Sequence, residues 1–139
     1  MMARSGGRLA ANVCADRVLL ALREARPAGL STAQLVAATG MTLYQVRKGL
    51  LYVRETAAMA NLEPLTWTRG EGWKLSSDPA EWVAFTAAVC HQMLVRTRRL
   101  ITSTAAPAVA ACPDDEDAQT MLDLLTGVKA GLSQLAKGY

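Results

Sequence analysis

Tyr44, Gln45, Arg47 and Lys48 stand within five consecutive residues, and together they supply the groups that read and hold a polyanion. A carboxamide pairs bidentately with adenine, a guanidinium or ammonium reads guanine, and a phenol donates to phosphate. Tyr52 adds a second phenol and Thr42 a hydroxyl at the start of the same stretch. Arg69 and Lys74 follow, suited to phosphates or an adjacent minor groove, because that role needs charge and reach rather than fixed geometry. Other chemistry is sparse. His91 is the only histidine, and mid-helix among apolar neighbours it reads as a core or interface residue. Without a second histidine, a Gly-rich phosphate loop or a carboxylate pair outside Asp114 to Asp117, no enzyme and no cofactor are expected. Cys14, Cys90 and Cys112 are widely spaced with no Cys-x-x-Cys pair, so neither a disulfide framework nor a metal site is suggested.

These residues need elements to position them. Val18, Leu19 and Leu22 recur at helical spacing in a first helix that Arg26-Pro27 ends, because the residue before proline avoids the α region. Leu30-Ser31-Thr32-Ala33-Gln34-Leu35 is a capping box with Ser31 as N-cap, Gln34 at N3 and a Leu30 to Leu35 staple. Thr39-Gly40 stops that second helix, and Met41-Thr42-Leu43-Tyr44-Gln45-Val46 repeats the start signal at once, with Thr42 as N-cap. Two capped helices separated by a short turn are the signature of a helix-turn-helix. The third helix is expected over residues 43 to 55, with Leu43, Val46, Leu50, Val53 and Ala57 buried on one face. Tyr44, Lys48 and Leu51 then lie opposite, flanked by Gln45, Arg47 and Tyr52. Leu65-Thr66-Trp67-Thr68 and Trp73-Lys74-Leu75-Ser76 alternate around Gly70-Glu71-Gly72, predicting a β-hairpin with Trp67 and Trp73 in packing positions.

The order of helix, capped helix, Thr39-Gly40-Met41 turn, third helix and hairpin ending Gly72-Trp73-Lys74-Leu75 resembles the winged helix-turn-helix superfamily. The likeness covers residues 16 to 76. It implies a mostly α fold with a two-stranded wing and binding of double-stranded DNA in the manner of bacterial, archaeal or phage transcription regulators. Thr42, Tyr44, Gln45, Arg47, Lys48 and Tyr52 would lie at the major groove, with Arg69 and Lys74 on the wing. Arg54 to Pro64 departs from the usual short connection between third helix and wing, so the helix is extended there or followed by an extra turn.

Two helices should follow. Asp78-Pro79-Ala80-Glu81 combines an N-cap, a proline at N1 and a glutamate at N3 and starts a helix reaching about Ile101. Thr102 to Pro113, alanine-rich with two prolines, reads as a linker. Asp114 to Asp117 then open a last helix in which Ala118, Met121, Leu125, Val128, Leu132 and Leu135 repeat every seven residues. This seam, with Trp82, Phe85, Val89 and Met93, is more apolar surface than one small domain covers, and a homodimer through Trp82, Phe85, Val89, Met93, Met121, Leu125, Val128 and Leu132 is expected. Such a dimer would set two recognition helices about 34 Å apart on a pseudo-palindromic site. An intramolecular helical hairpin is the competing arrangement.

The domain plan is thus a flexible arm over residues 1 to 11, a DNA-binding domain over 12 to 77 and a helical region for packing and dimerisation over 78 to 139. Charge follows it. Residues 1 to 74 hold ten Lys/Arg against five Asp/Glu, giving +5, and residues 75 to 139 hold five against seven, giving −2, which sum to the net +3; the basic half is the polyanion-binding half. The richest apolar run, Trp82 to Val95, is broken by His91 and Gln92 and falls short of the roughly 20 residues of a membrane span. With no secretory signal legible at Met1 to Arg8, a cytoplasmic protein is expected. A transcription regulator, of repressor type, fits best. An accessory protein of replication, partition or recombination would use the same helix, and a protein-contact module would use Leu51 and Tyr52 as anchors.

Overall fold

The computed structural model describes Arg8 to Lys137. The arm expected over residues 1 to 11 lies outside the described residues as far as Gly7. Beyond it, Leu9 packs on the core and a helix has begun by Ala11. The chain divides into two compact units, the first ending at Trp82 and the second starting at Val83. The expected boundary at residue 77 moves because the first turn of the next helix is tied back. Glu81 binds Lys74, and the Trp82 indole donates to the Ser76 carbonyl at 2.8 Å.

In the first unit, α1 (Ala11–Ala25) buries Cys14, Ala15, Val18, Leu19 and Leu22 along one stripe and stops where Arg26, ahead of Pro27, turns extended. Both capping boxes form. Ser31 accepts from the Gln34 amide to start α2 (Thr32–Thr39), and Thr42 accepts from the Gln45 amide to start α3 (Leu43–Tyr52). Between them Gly40 takes the left-handed conformation at φ 71°, which reverses the chain within three residues.

The third helix runs further than residue 55. A π-helical turn, π1 (Val53–Ala57), leads into α4 (Ala58–Asn61), which ends at Leu62 with φ 53°. Thr56 to Ala60 are good enough helix formers to continue past the expected stop. Glu63 then receives Arg23 and Arg26 from the end of α1, which fixes where the chain leaves the helix.

Strands β1 (Leu65–Thr68) and β2 (Gly72–Leu75) pair antiparallel with Trp67 opposite Trp73. Leu30 adds an unexpected bridge, exchanging two 2.8 Å hydrogen bonds with Trp73. This contact explains Gly72, which combines φ 76° with a backbone approach in which a Cβ would stand 2.6 Å from the Leu30 carbonyl oxygen. The core gathers Val18, Leu22, Leu35, Val46, Leu50, Val53 and Leu75. Full burial of each large aliphatic side chain stabilises by roughly 1.5–3 kcal/mol.

α5 (Pro79–Leu100) begins at Asp78, which accepts from Ala80, and crosses from the first unit into the second. The linker expected over residues 102 to 113 is instead helical as far as Ala111, through π2 (Ile101–Ala105) and α6 (Ala106–Ala111). Alanine favours helix, and Pro107 directly follows the π-helical turn, within a continuous run of helix. After a turn at Cys112 to Asp115, where the Asp115 carboxylate caps Asp117 and Ala118, α7 (Glu116–Leu135) runs back along the second unit. Cys90 and Leu94 form a small core with Leu132 and Ala136. The described residues are mostly helical, with one two-stranded sheet among them. No helix among the described residues is long and apolar enough to cross a membrane.

Candidate nucleic-acid interface

The close crossing of α1 and α3 decides which face of α3 remains outside. A Cβ at Gly49 would lie 2.8 Å from the Cys14 carbonyl carbon and oxygen, so the two backbones touch there. That contact turns Gln45, Val46, Gly49, Leu50 and Val53 inward, a rotation of roughly half a residue step from the face expected around Leu43. Leu43, assigned to the core by its spacing, is 44% exposed.

Gln45 moves the other way. Its side chain is 2% exposed, and its Oε1 accepts from the Thr42 amide at 3.0 Å while its own amide donates to Thr42 Oγ1 at 3.2 Å. The capping box draws the carboxamide back over the helix start and into the unit, so the expected adenine reader is a structural cap. Its Nε2 has no hydrogen-bond partner among the described residues. Thr42 is exposed, with its oxygen engaged in the same box.

The outer strip of α3 holds Tyr44, Arg47 and Leu51, with Lys48 beside them. Tyr44 is 64% exposed. Lys48 is half-buried, its ammonium donating to the Leu9 carbonyl at 2.6 Å and standing 5.6 Å above the Tyr44 ring. The charge is therefore held beside Tyr44 rather than swinging free, and the carbonyl leaves it uncancelled. Tyr52 is half-buried against the core, at the edge of the strip rather than on it. Arg54, which spacing did not single out, is exposed and stacks its guanidinium 5.9 Å from the Trp73 ring centre, joining the far end of α3 and π1 to the hairpin.

On the hairpin, Arg69 sits exposed in the tip between Thr68 and Gly72, with no carboxylate partner among the described residues. Lys74 is committed. Its ammonium donates to Glu81 at 2.7 Å and to Glu71 at 3.1 Å. The bond to Glu81, then that to Glu71, raises its pKa, and the same ion pair together with Ser76 lowers that of Glu81. Its single charge is shared between two carboxylates, where a free phosphate-binding cation was expected. The tryptophans face one side together, ring centres 6.4 Å apart. Trp73 packs inward and donates to Thr32 Oγ1 at 3.3 Å, whereas Trp67, expected in packing, remains 42% exposed.

The residues expected at a dimer interface divide. Leu132 is spent inside the second unit against Cys90 and Leu94, and Leu125 is half-buried. Val89, Met93, Met121 and Val128 stay exposed, while Phe85, and Trp82 at the end of the first unit, are half-buried. Among the described residues no cluster of His, Cys, Asp and Glu has the form of a metal site. No family model, curated protein or solved structure matches the chain.

Proposed function

We propose that this chain is a sequence-specific, double-stranded DNA-binding protein of winged-helix type, acting as a transcription regulator of repressor kind. The observation that carries the reading is the strip of Tyr44, Arg47, Lys48 and Leu51 on a helix entered through a three-residue turn from another capped helix. A helix so held can lie in a major groove with its N-terminal residues at base edges. Arg47 is the base reader, Tyr44 and Lys48 hold phosphate or the neighbouring base, and Leu51 meets a thymine methyl. Arg69 reaches backbone phosphate from the wing. Repression from a pseudo-palindromic site requires two chains.

Selection of bound fragments from a random duplex pool, followed by affinity measurement on the selected sequence, tests this. Arg47→Ala should weaken binding to the selected duplex by about 1–3 kcal/mol and change binding to random DNA little. Gln45→Ala should instead lower thermal stability through the lost cap. A pool that shows no enrichment after repeated rounds would sink the proposal. Leu51, 50% exposed beside Tyr44, favours one second reading, in which this face docks a protein. Cooperative occupation of adjacent DNA sites would point to an accessory role in replication, partition or recombination.

A further inference from the structure

We infer that α7 pairs antiparallel with α7 of a second copy of this chain, through a face that shares only Val128 and Leu135 with the seven-residue seam. One side of α7 is used within its own unit, where Leu132 and Ala136 meet Cys90 and Leu94. Adjoining it, Leu124, Val128 and Leu135 are 63%, 49% and 59% exposed. Gly127 and Gly131 share that side, and a Cβ added to either would meet nothing within 4 Å. At about 100° per residue these five positions fall within an arc of roughly 100°. Glycine is the poorest helix former after proline, and nothing within the unit requires these two.

A second copy gives them a use. With a two-fold axis between residues 127 and 128, Leu124 lies opposite the partner's Gly131 and Val128 opposite the partner's Gly127. Each bulky side chain then meets a hole where the facing helix has none, which is how helices approach closely. In the same register the partner's Leu135 lands opposite Thr120, next to Met121. Met121 lines an apolar cavity of roughly 220 Å³ with Leu100, Ala105 and Ala108, and a leucine can enter it.

Charge selects the direction and the occupant. Between residues 114 and 126 stand Asp114, Asp115, Glu116, Asp117 and Asp123 with no Lys or Arg, and after residue 127 stand Lys129 and Lys137 with no acid. Parallel helices would stack acid on acid. Antiparallel ones bring Glu116 and Asp117 level with the partner's Lys137 and oppose the helix dipoles. Charge thus gives the antiparallel direction and shape gives the register, and the occupant that satisfies both is the chain itself.

Sedimentation equilibrium of the full chain without DNA tests this independently of the DNA-binding reading. The expected mass is twice 14.8 kDa at about 100 μM. Gly131→Leu fills the hole from a Cβ position that has open space around it among the described residues, so it should keep or raise the melting temperature while weakening the dimer at least about tenfold. Leu124→Glu should weaken it similarly and serves as the second reading if Gly131→Leu disturbs folding. A single-chain mass for the unsubstituted protein at that concentration overturns the proposal. So does a dimer that neither substitution weakens by more than about twofold.

Discussion

Gly49 sets the orientation of the helix that matters most, through what it lacks. With Cys14 backbone atoms 2.8 Å from where a Cβ would stand, an alanine must push α1 and α3 apart. Helix propensity alone would favour alanine by about 1 kcal/mol. The contact is with backbone, which cannot swing aside, so overpacking wins and Gly49→Ala should lower stability by about 1–3 kcal/mol, read as a lower urea midpoint. An unchanged or raised midpoint would mean that α1 and α3 are not held by that crossing. Gln45 is the companion case: a residue with the right chemistry for a base edge has its carboxamide drawn inward, where Oε1 accepts from the Thr42 backbone amide.

At the scale of elements, the long helix of α3, π1 and α4 is held at both ends. Thr42 caps its start, and Glu63 just beyond its end receives Arg23 at 2.5 Å as well as Arg26. The hydrogen bond from Arg23 is the main cause that holds the Glu63 carboxyl below its ordinary value of 4.5, against a burial penalty that pushes the other way. A carboxylate with a lowered folded pKa stabilises above its unfolded value, and the effect is lost as pH falls through the folded one. Because both arginines are 40% exposed or more, solvent screening limits the gain to roughly 1 kcal/mol at most. Glu63→Gln should therefore lower the urea midpoint by a constant amount above the ordinary carboxylate value, with the gap closing as pH drops below it. A gap that persists unchanged in strong acid would assign the loss to packing instead.

Across the whole molecule, the charge split of +5 and −2 overstates the cations available to a polyanion. Lys74 is neutralised by Glu71 and Glu81, and Arg23 and Arg26 share Glu63. Of the cations outside these pairs, Arg47, Lys48 and Arg69 are the proposed phosphate and base contacts. Three such contacts predict a slope of about −3 per bound chain in a plot of log affinity against log salt. A slope near zero would leave Leu51 and Tyr44 as the working part of the face and favour a protein partner. Lys74→Ala should leave the slope unchanged, since its charge is already spent.

The parts legible from sequence are those set by neighbours along the chain. Both capping boxes, the Gly40 turn, the hairpin and the starts of α5 and α7 depend on residues three or four apart, and all formed where the residues placed them. The outer positions of Tyr44, Arg47 and Leu51 followed from the same short-range period. Contacts distant in sequence were decided only by tertiary structure. The bridge from Leu30 to Trp73 is a single residue pair with no periodicity to announce it. The continuation of helix through Thr102 to Ala111 rests on a π turn that accommodates Pro107. The burial of Gln45 needs the close approach of α1 at Gly49 as well as the local capping box, and the pairing of Lys74 depends on Glu81 returning to the hairpin. Helix periodicity sorts residues into faces, but the neighbour that comes nearest chooses which face is covered.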